Sequence, residues 1–200
     1  MGKRPQYDAR IWAEHEASTF YAAPKMSQSE RDERAMALYQ SCRVDGEWVV
    51  GIEDAGLVTT AVVYNALIGA RYEGAIELAR EFLEHPDLDR ADLDRRNTIQ
   101  KLLGEALVIT GEVDAGLSAI AESTRTYVRT STRRMHTWSA LTGVLNSLGE
   151  STAVDERFRD FAYTFLYERK ASRGAAKKAL KASTCGELER LIDKGWRSKR

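Results

Sequence analysis

The stretch of sequence that decides the fold is WSALTGVLNSLG, residues 138–149. Its large and small residues recur with the spacing W-x2-L-x3-L-x3-G, as Trp138, Leu141, Leu145 and Gly149. Apolar residues three and four positions apart lie on one face of a helix, and a glycine directly after them is a common helix end. A second apolar stripe follows at Val154, Phe158 and Phe161. The stretch therefore predicts a helix, a turn and a second helix.

Two similar units precede this one. The nearer unit has a Leu-Gly pair, a turn glycine and a second stripe, carried by Leu103, Gly104, Leu107, Gly111, Val113, Gly116, Ile120 and Ser123. The earlier unit has a weaker first helix and matches at Val62, Val63, Ala66, Tyr72, Ala75, Ile76, Ala79 and Phe82, with Pro86 beyond. Small residues let paired helices approach closely, and bulky ones fill the groove to the next pair. The pattern predicts consecutive helix hairpins.

These units resemble the tetratricopeptide-repeat family, whose members combine a bulky residue, a Leu-Gly pair, a turn glycine, a small Ala on the second helix and a closing Pro. The resemblance covers residues 54–171, and matching positions lie 41 and 38 residues apart, longer than the usual period of about 34. It implies an all-α fold, an array of antiparallel helix hairpins wound into a superhelix. An irregular helical bundle is the alternative.

Further helices are predicted on both sides of the units. Ile11, Trp12, Phe20 and Tyr21 predict an N-terminal helix that caps the array within residues 1–26. The repeat domain then spans residues 27–171, and basic capping helices follow at 172–200. Two capping-box spacings, in which a side chain at a helix start and one three residues later satisfy backbone donors, mark helix starts. They are Ser27 with Glu30, and Thr184 with Glu187.

Strand candidates are few. The best is Trp48 to Ile52, which follows the turn-prone pair Asp45-Gly46. We favour a loop packed against the first helices, and a hairpin arm is the alternative.

Charge and composition limit the possible partners and compartments. The net charge is zero, but the four quarters of the chain carry −1, −5, 0 and +6. No apolar run approaches the roughly 20 residues that span a bilayer, so no membrane partner is expected. Only two cysteines occur, Cys42 and Cys185, and no signal peptide is recognisable, which together favour the cytoplasm.

The sequence has no local motif for catalysis. Its glycines form no phosphate-binding loop, and His15, His85 and His136 are isolated from zinc-type spacings. The acidic run at residues 87–94 lacks the glycine and closing Glu of a calcium loop. Cys185, at a predicted helix start, could have a lowered pKa, but a buried structural residue is the favoured interpretation. We therefore expect no catalytic residue, no metal and no cofactor.

Arginines supply the first candidate for partner binding. Arg125, Arg129 and Arg133 recur every four residues beside Arg134, so one continuous helix would align three guanidinium groups. Such a stripe suits an acidic peptide, a carboxylate or a phosphate, and a solvated face is the alternative. Other polar positions of the expected concave face complete the candidate set: Asn65, Asn97, Lys101, His136 and Asn146.

The C-terminal segment is the second candidate. Between Arg169 and Arg200 there are eleven Lys/Arg and three acidic residues. Its candidate binding residues are Lys177, Lys178, Lys181, Trp196, Arg197, Lys199 and Arg200. The leading functional hypothesis is a scaffold or adaptor that binds a protein or peptide on the concave face of its hairpins. A nucleic-acid-associated adaptor acting through the basic segment is the alternative, and an enzyme with a site between helices is less favoured.

Overall fold

The computed structural model describes residues 7–18, 26–168 and 173–197, and it is all-α, as predicted. Within those residues there are ten α-helices, one short 3-10 helix and one two-stranded hairpin. The chain divides into two compact units, residues 1–103 and 104–200.

The first unit is built around one buried helix, α3. Its elements are α1 (Ala9–Ser18), α2 (Gln28–Ser41), β1 (Arg43–Val44), β2 (Glu47–Trp48), α3 (Ile52–Ile68), α4 (Tyr72–Leu83), a 3-10 helix (Leu88–Arg90) and the start of α5 (Leu93–Ile109). Residues 55–63 and 65–67 of α3 are all buried because α1, α2 and α4 pack around it. A helix that is apolar on nearly all sides requires such enclosure.

The start of α2 has the predicted capping box. The backbone N–H of Glu30 donates to Oγ of Ser27 over 3.3 Å, and the Glu30 carboxylate accepts from the Ser27 backbone N–H over 2.7 Å. These hydrogen bonds lower the pKa of Glu30. The N-terminal helix α1 is also present, whereas Phe20 and Tyr21 lie outside the described residues.

The segment after α2 forms a hairpin, but of the candidate residues 48–52 only Trp48 belongs to a strand; residues 49–51 are a loop, as the favoured interpretation predicted. Asp45 and Gly46 have φ angles of 49° and 87°, and two consecutive left-handed residues make the turn that matches strand twist. The strand itself is shorter than the predicted extended segment, since α3 already begins at Ile52. Arg43 holds the hairpin against the helices, because its guanidinium contacts the Tyr39 ring and pairs with Glu81 of α4.

The second unit contains the hairpins on which the fold prediction rests. It consists of the rest of α5, α6 (Val113–Arg125), α7 (Thr130–Leu148), α8 (Glu156–Tyr167), α9 (Arg173–Ala179) and α10 (Cys185–Arg197). α7 ends at Gly149, whose φ of 85° suits a glycine helix end. The core of this unit includes fully buried apolar side chains from three helices: Leu141, Leu145, Phe158, Leu166, Leu188 and Ile192.

Both long helices and one long connection accommodate the spacings of 41 and 38 residues. α5 and α7 have 17 and 19 residues. Residues 84–92, which include the 3-10 helix, connect α4 to α5, whereas only residues 126–129 connect α6 to α7.

Candidate anion-binding site

The chain turns between α6 and α7 instead of continuing as one helix. α6 ends at Arg125 and α7 begins at Thr130. Tyr127 anchors the turn: its side chain is buried, its hydroxyl lies 3.0 Å from Nε2 of His136, and its carbonyl oxygen accepts a 3.2 Å hydrogen bond from Arg133. The single helix required for an aligned stripe of Arg125, Arg129 and Arg133 is therefore not formed.

The turn brings two of the predicted arginines to one groove. We call it the α6–α7 groove; it has a volume of about 470 Å³ and is lined by Ser118, Ala121, Glu122, Thr124, Arg125 and Arg133. Arg125 pairs with Glu122 over 2.8 Å, which neutralises much of its charge. Arg133 therefore supplies the remaining positive charge of the groove.

A smaller pocket adjoins this groove and shares Ala121, Thr124 and Arg133 with it. We call it the arginine pocket; it has a volume of about 180 Å³ and lies between α6, α7 and α8. It is lined by Ala121, Thr124, Thr130, Arg133, Arg134, Thr137, Phe161, Thr164, Phe165 and Glu168. The volume is well above what one water molecule needs, so a charged group of a ligand can enter.

Arg134, which lines this pocket, has a hydrogen-bond donor without an acceptor. Its Nε is buried and, among the described residues, has no acceptor. Neither Arg133 nor Arg134 forms an ion pair within the described part of the chain, and Arg133 uses one amino group for the Tyr127 carbonyl. Nearly all buried donors in proteins have partners, so Arg134 is a candidate for binding an acceptor from outside the chain.

The threonine hydroxyls of the pocket divide into engaged and available donors. Thr124, Thr137 and Thr164 donate to backbone carbonyls of their own helices over 2.8, 3.1 and 3.1 Å. Thr130 makes no such bond among the described residues, and it is the first residue of α7. Backbone N–H groups are unpaired at the N-terminus of a helix, and this end therefore favours a bound anion.

The pocket has a sequence signal that motif reasoning missed. α7 and the end of α8 each contribute residues at positions i, i+3, i+4 and i+7, which share one helical face. For α7 these are Thr130, Arg133, Arg134 and Thr137, and for α8 they are Phe161, Thr164, Phe165 and Glu168; α6 contributes Ala121 and Thr124, at i and i+3. The faces mix polar and apolar residues, so hydrophobic periodicity alone does not reveal them.

The other predicted partner-binding residues lie elsewhere. Asn65 and Asn97 are 1% and 4% exposed, so they belong to the interior and not to an exposed binding face. Asn65 accepts a hydrogen bond from Gln28 over 3.4 Å. Lys101 is half-buried on α5, and Asn146 is exposed on α7. Arg129 precedes α7 and, like half-buried His136, does not line the pocket.

The basic C-terminal segment forms a second groove, the α9–α10 groove. It has a volume of about 340 Å³ and is lined by Lys178, Lys181, Ala182, Glu187, Arg190 and Leu191. Glu187 is occupied by hydrogen bonds from the backbone and hydroxyl of Ser183, which lower its pKa. Lys178, Lys181 and Arg190 have no ion pair within the described residues. Arg190 was absent from the predicted set.

The remaining predicted residues of this segment have different surroundings. Lys177 is exposed on α9. Arg197 pairs with Asp193 over 3.3 Å, and Trp196 stacks on Trp138. Lys199 and Arg200 lie outside the described residues.

Other chemistry is limited in the described residues. No group of three or more His, Cys, Asp or Glu side chains in residues 7–18, 26–168 and 173–197 could hold a metal ion. Burial raises the pKa of the Cys185 thiol, which contradicts the reactive-thiol alternative. In the same part of the chain, no helix combines the length and apolar character that a membrane span requires.

Comparison with protein-family models, with curated proteins and with solved structures gave no significant match.

Proposed function

We propose that this chain is a tetratricopeptide-like scaffold that binds an acidic segment of a protein or peptide partner in the α6–α7 groove and the arginine pocket. The observation that carries the proposal is that Arg133 and Arg134, which form no ion pair among the described residues, both line a pocket of about 180 Å³. Arginine presents donors in a planar fork that matches carboxylate and phosphate oxygens. Helix hairpins such as α7–α8 support a scaffold role, because they form extended grooves.

The lining favours recognition by hydrogen bonds and packing. Arg133 and Arg134 offer fixed positive charges, and Phe161 and Phe165 add an apolar wall. Both cysteines are free and buried, which supports placing this function in the reducing cytoplasm.

Selection of random peptides displayed on phage against the full-length protein tests the proposal. We expect enriched peptides to carry Asp or Glu, and their affinity to fall about tenfold or more in Arg133→Ala and Arg134→Ala. Lys194→Ala is the matched control, since it removes an exposed positive charge from α10 outside the pocket. Circular dichroism should show equal helix content in all variants. Equal binding by the variants and the control would overturn this site.

The α9–α10 groove favours nucleic-acid binding as a second candidate function. Residues 104–200 carry 17 basic and 12 acidic side chains, and Lys178, Lys181 and Arg190, which have no ion pair among the described residues, line one groove. Cations in such a groove attract phosphates along a backbone.

Fluorescence anisotropy with labelled single-stranded and duplex DNA tests this second candidate. Binding at low salt should weaken steeply as salt rises, and Lys181→Glu should reduce it more than the charge-matched Arg10→Glu, at an exposed residue of α1. Absence of binding at low salt would eliminate the candidate.

A further inference from the structure

We propose that the group bound in the arginine pocket is a phosphoryl group, carried on a side chain of the partner segment. This inference rests on the proposed function and names the chemistry of its ligand. It follows from the number of available donors, from their charge and from the wall opposite them.

The first step is the unmet donor of Arg134. A buried N–H without an acceptor costs free energy comparable to a lost hydrogen bond. Arg134 has no acceptor for this N–H among the described residues, and the Glu168 carboxylate that lines the same pocket forms no ion pair with it. A ligand oxygen in the pocket supplies an acceptor to this guanidinium once the Arg134 side chain turns toward it.

The second step is the number of donors that meet in the pocket. Besides Arg134, the pocket offers the remaining N–H groups of Arg133 and the hydroxyl of Thr130. A carboxylate has two oxygens, whereas a phosphoryl group has three acceptor oxygens and a charge of about −1.5 to −2 at neutral pH. Two guanidinium groups and a hydroxyl therefore match a phosphoryl group more completely than a carboxylate.

The third step concerns the opposing charge. Glu168 is exposed at the end of α8 and lines the same pocket, so its carboxylate opposes any anion there. It has no ion pair among the described residues. Replacing Glu168 with Gln should therefore strengthen binding of a phosphoryl group. If the arginines had only a structural role, this gain in affinity would not be expected.

The fourth step is the apolar wall. Phe165 is buried and Phe161 half-buried along the pocket. Apolar surroundings strengthen hydrogen bonds to charged groups, and they provide contact for the carbon atoms that carry the phosphate. Phenyl phosphate, which combines both parts, is a suitable probe.

Nuclear magnetic resonance of the full-length protein tests the inference through the Nε–H signal of Arg134. We expect phenyl phosphate and inorganic phosphate to shift this signal at concentrations at which acetate does not. Affinity for phenyl phosphate should fall about tenfold or more in Arg134→Ala and Arg134→Lys, because lysine lacks the fork. It should rise about two- to threefold in Glu168→Gln and stay unchanged in Lys194→Ala.

A peptide series separates this inference from the proposed function. One enriched acidic peptide is made with phosphoserine, glutamate or serine at the same position, and the phosphoserine form should bind most tightly. If the glutamate form binds equally well, the phosphoryl inference is overturned while the acidic-partner scaffold stands. If shifts map to Lys178, Lys181 and Arg190 instead, or no probe binds near Arg134, the inference fails as well.

Discussion

The indole ring of Trp138 stacks on that of Trp196, with ring centroids 5.3 Å apart and an interplanar angle of 15°. The indole N–H of Trp138 also donates to Asp193 over 3.2 Å. The residue that opens the WSALTGVLNSLG stretch therefore joins α7 to the C-terminal helix α10. Its neighbours in sequence place Trp196 among the candidate binding residues of the basic segment. In the structure it packs against α7.

Trp196→Ala should destabilise the protein by about 2 kcal/mol, because it removes a half-buried ring and its aromatic partner. Urea unfolding followed by circular dichroism measures the change in free energy. Arg197→Ala is the neighbouring control, expected to cost less than about 0.5 kcal/mol since its ion pair with Asp193 is exposed. Equal losses in both variants would show that the stack contributes little.

Gly104→Ala should also destabilise the protein, by about 1–3 kcal/mol, although alanine favours helices. A Cβ at Gly104 would lie 2.7 Å from the carbonyl oxygen of Gly116 and 2.9 Å from the backbone nitrogen of Ile120. Backbone cannot move aside as a side chain can, so α5 and α6 would have to separate.

Gly74→Ala in α4 is the control for this substitution. A Cβ there meets nothing within 4 Å, so the variant should gain about 0.5–1 kcal/mol in the free energy of unfolding. Thermal unfolding of both variants distinguishes close helix packing from helix propensity. A gain in both would contradict the tight approach of Gly104 to Gly116.

The helices could be predicted from sequence because their signals are local. A capping box at Ser27 and Glu30, and a glycine at the end of α7, each act within a few residues. The hairpin at Asp45-Gly46 had an equally local signal, but two-residue strands are too short for alternation of apolar and polar residues to be visible.

The site could be predicted only in part, because burial depends on packing between distant segments. Asn65 reads as an exposed polar residue, but α3 is enclosed on nearly all sides, and Gln28 supplies its partner. From the sequence, Arg134 is expected to be a surface charge, whereas in the structure it lines a pocket together with Phe161 and Phe165 of α8. The reversal at Tyr127, which has neither proline nor glycine nearby, depends on contacts with Arg133 and His136.

Both cysteines should react slowly with thiol reagents in the native protein. Cys42 and Cys185 are 2% and 0% exposed, and burial raises the pKa of each thiol, which lowers the fraction of reactive thiolate. Iodoacetamide labelling at pH 7.5 followed by mass spectrometry should find two modified cysteines in urea and very few without it. Rapid native labelling of Cys185 would contradict its burial in the core of the second unit.

His15 should make the stability of the protein pH-dependent between neutral and mildly acidic conditions. It is 5% exposed on α1, and burial, with a contribution from the nearby Arg95 charge, lowers its pKa to about 4. Since an unfolded histidine has a pKa of about 6.5, the unfolded chain binds the proton first as the pH falls. The stabilising contribution of neutral His15 is thus complete above pH 6.5 and is lost progressively toward pH 4.

The linkage predicts a loss of about 2 kcal/mol between pH 7 and pH 5, measurable as a lower urea midpoint. His15→Gln should flatten this dependence. Identical pH profiles for the wild type and His15→Gln would contradict the assignment of this pH dependence to His15. The acid sensitivity would then belong to carboxylates such as Asp155, whose pKa is lowered by hydrogen bonds from Arg157.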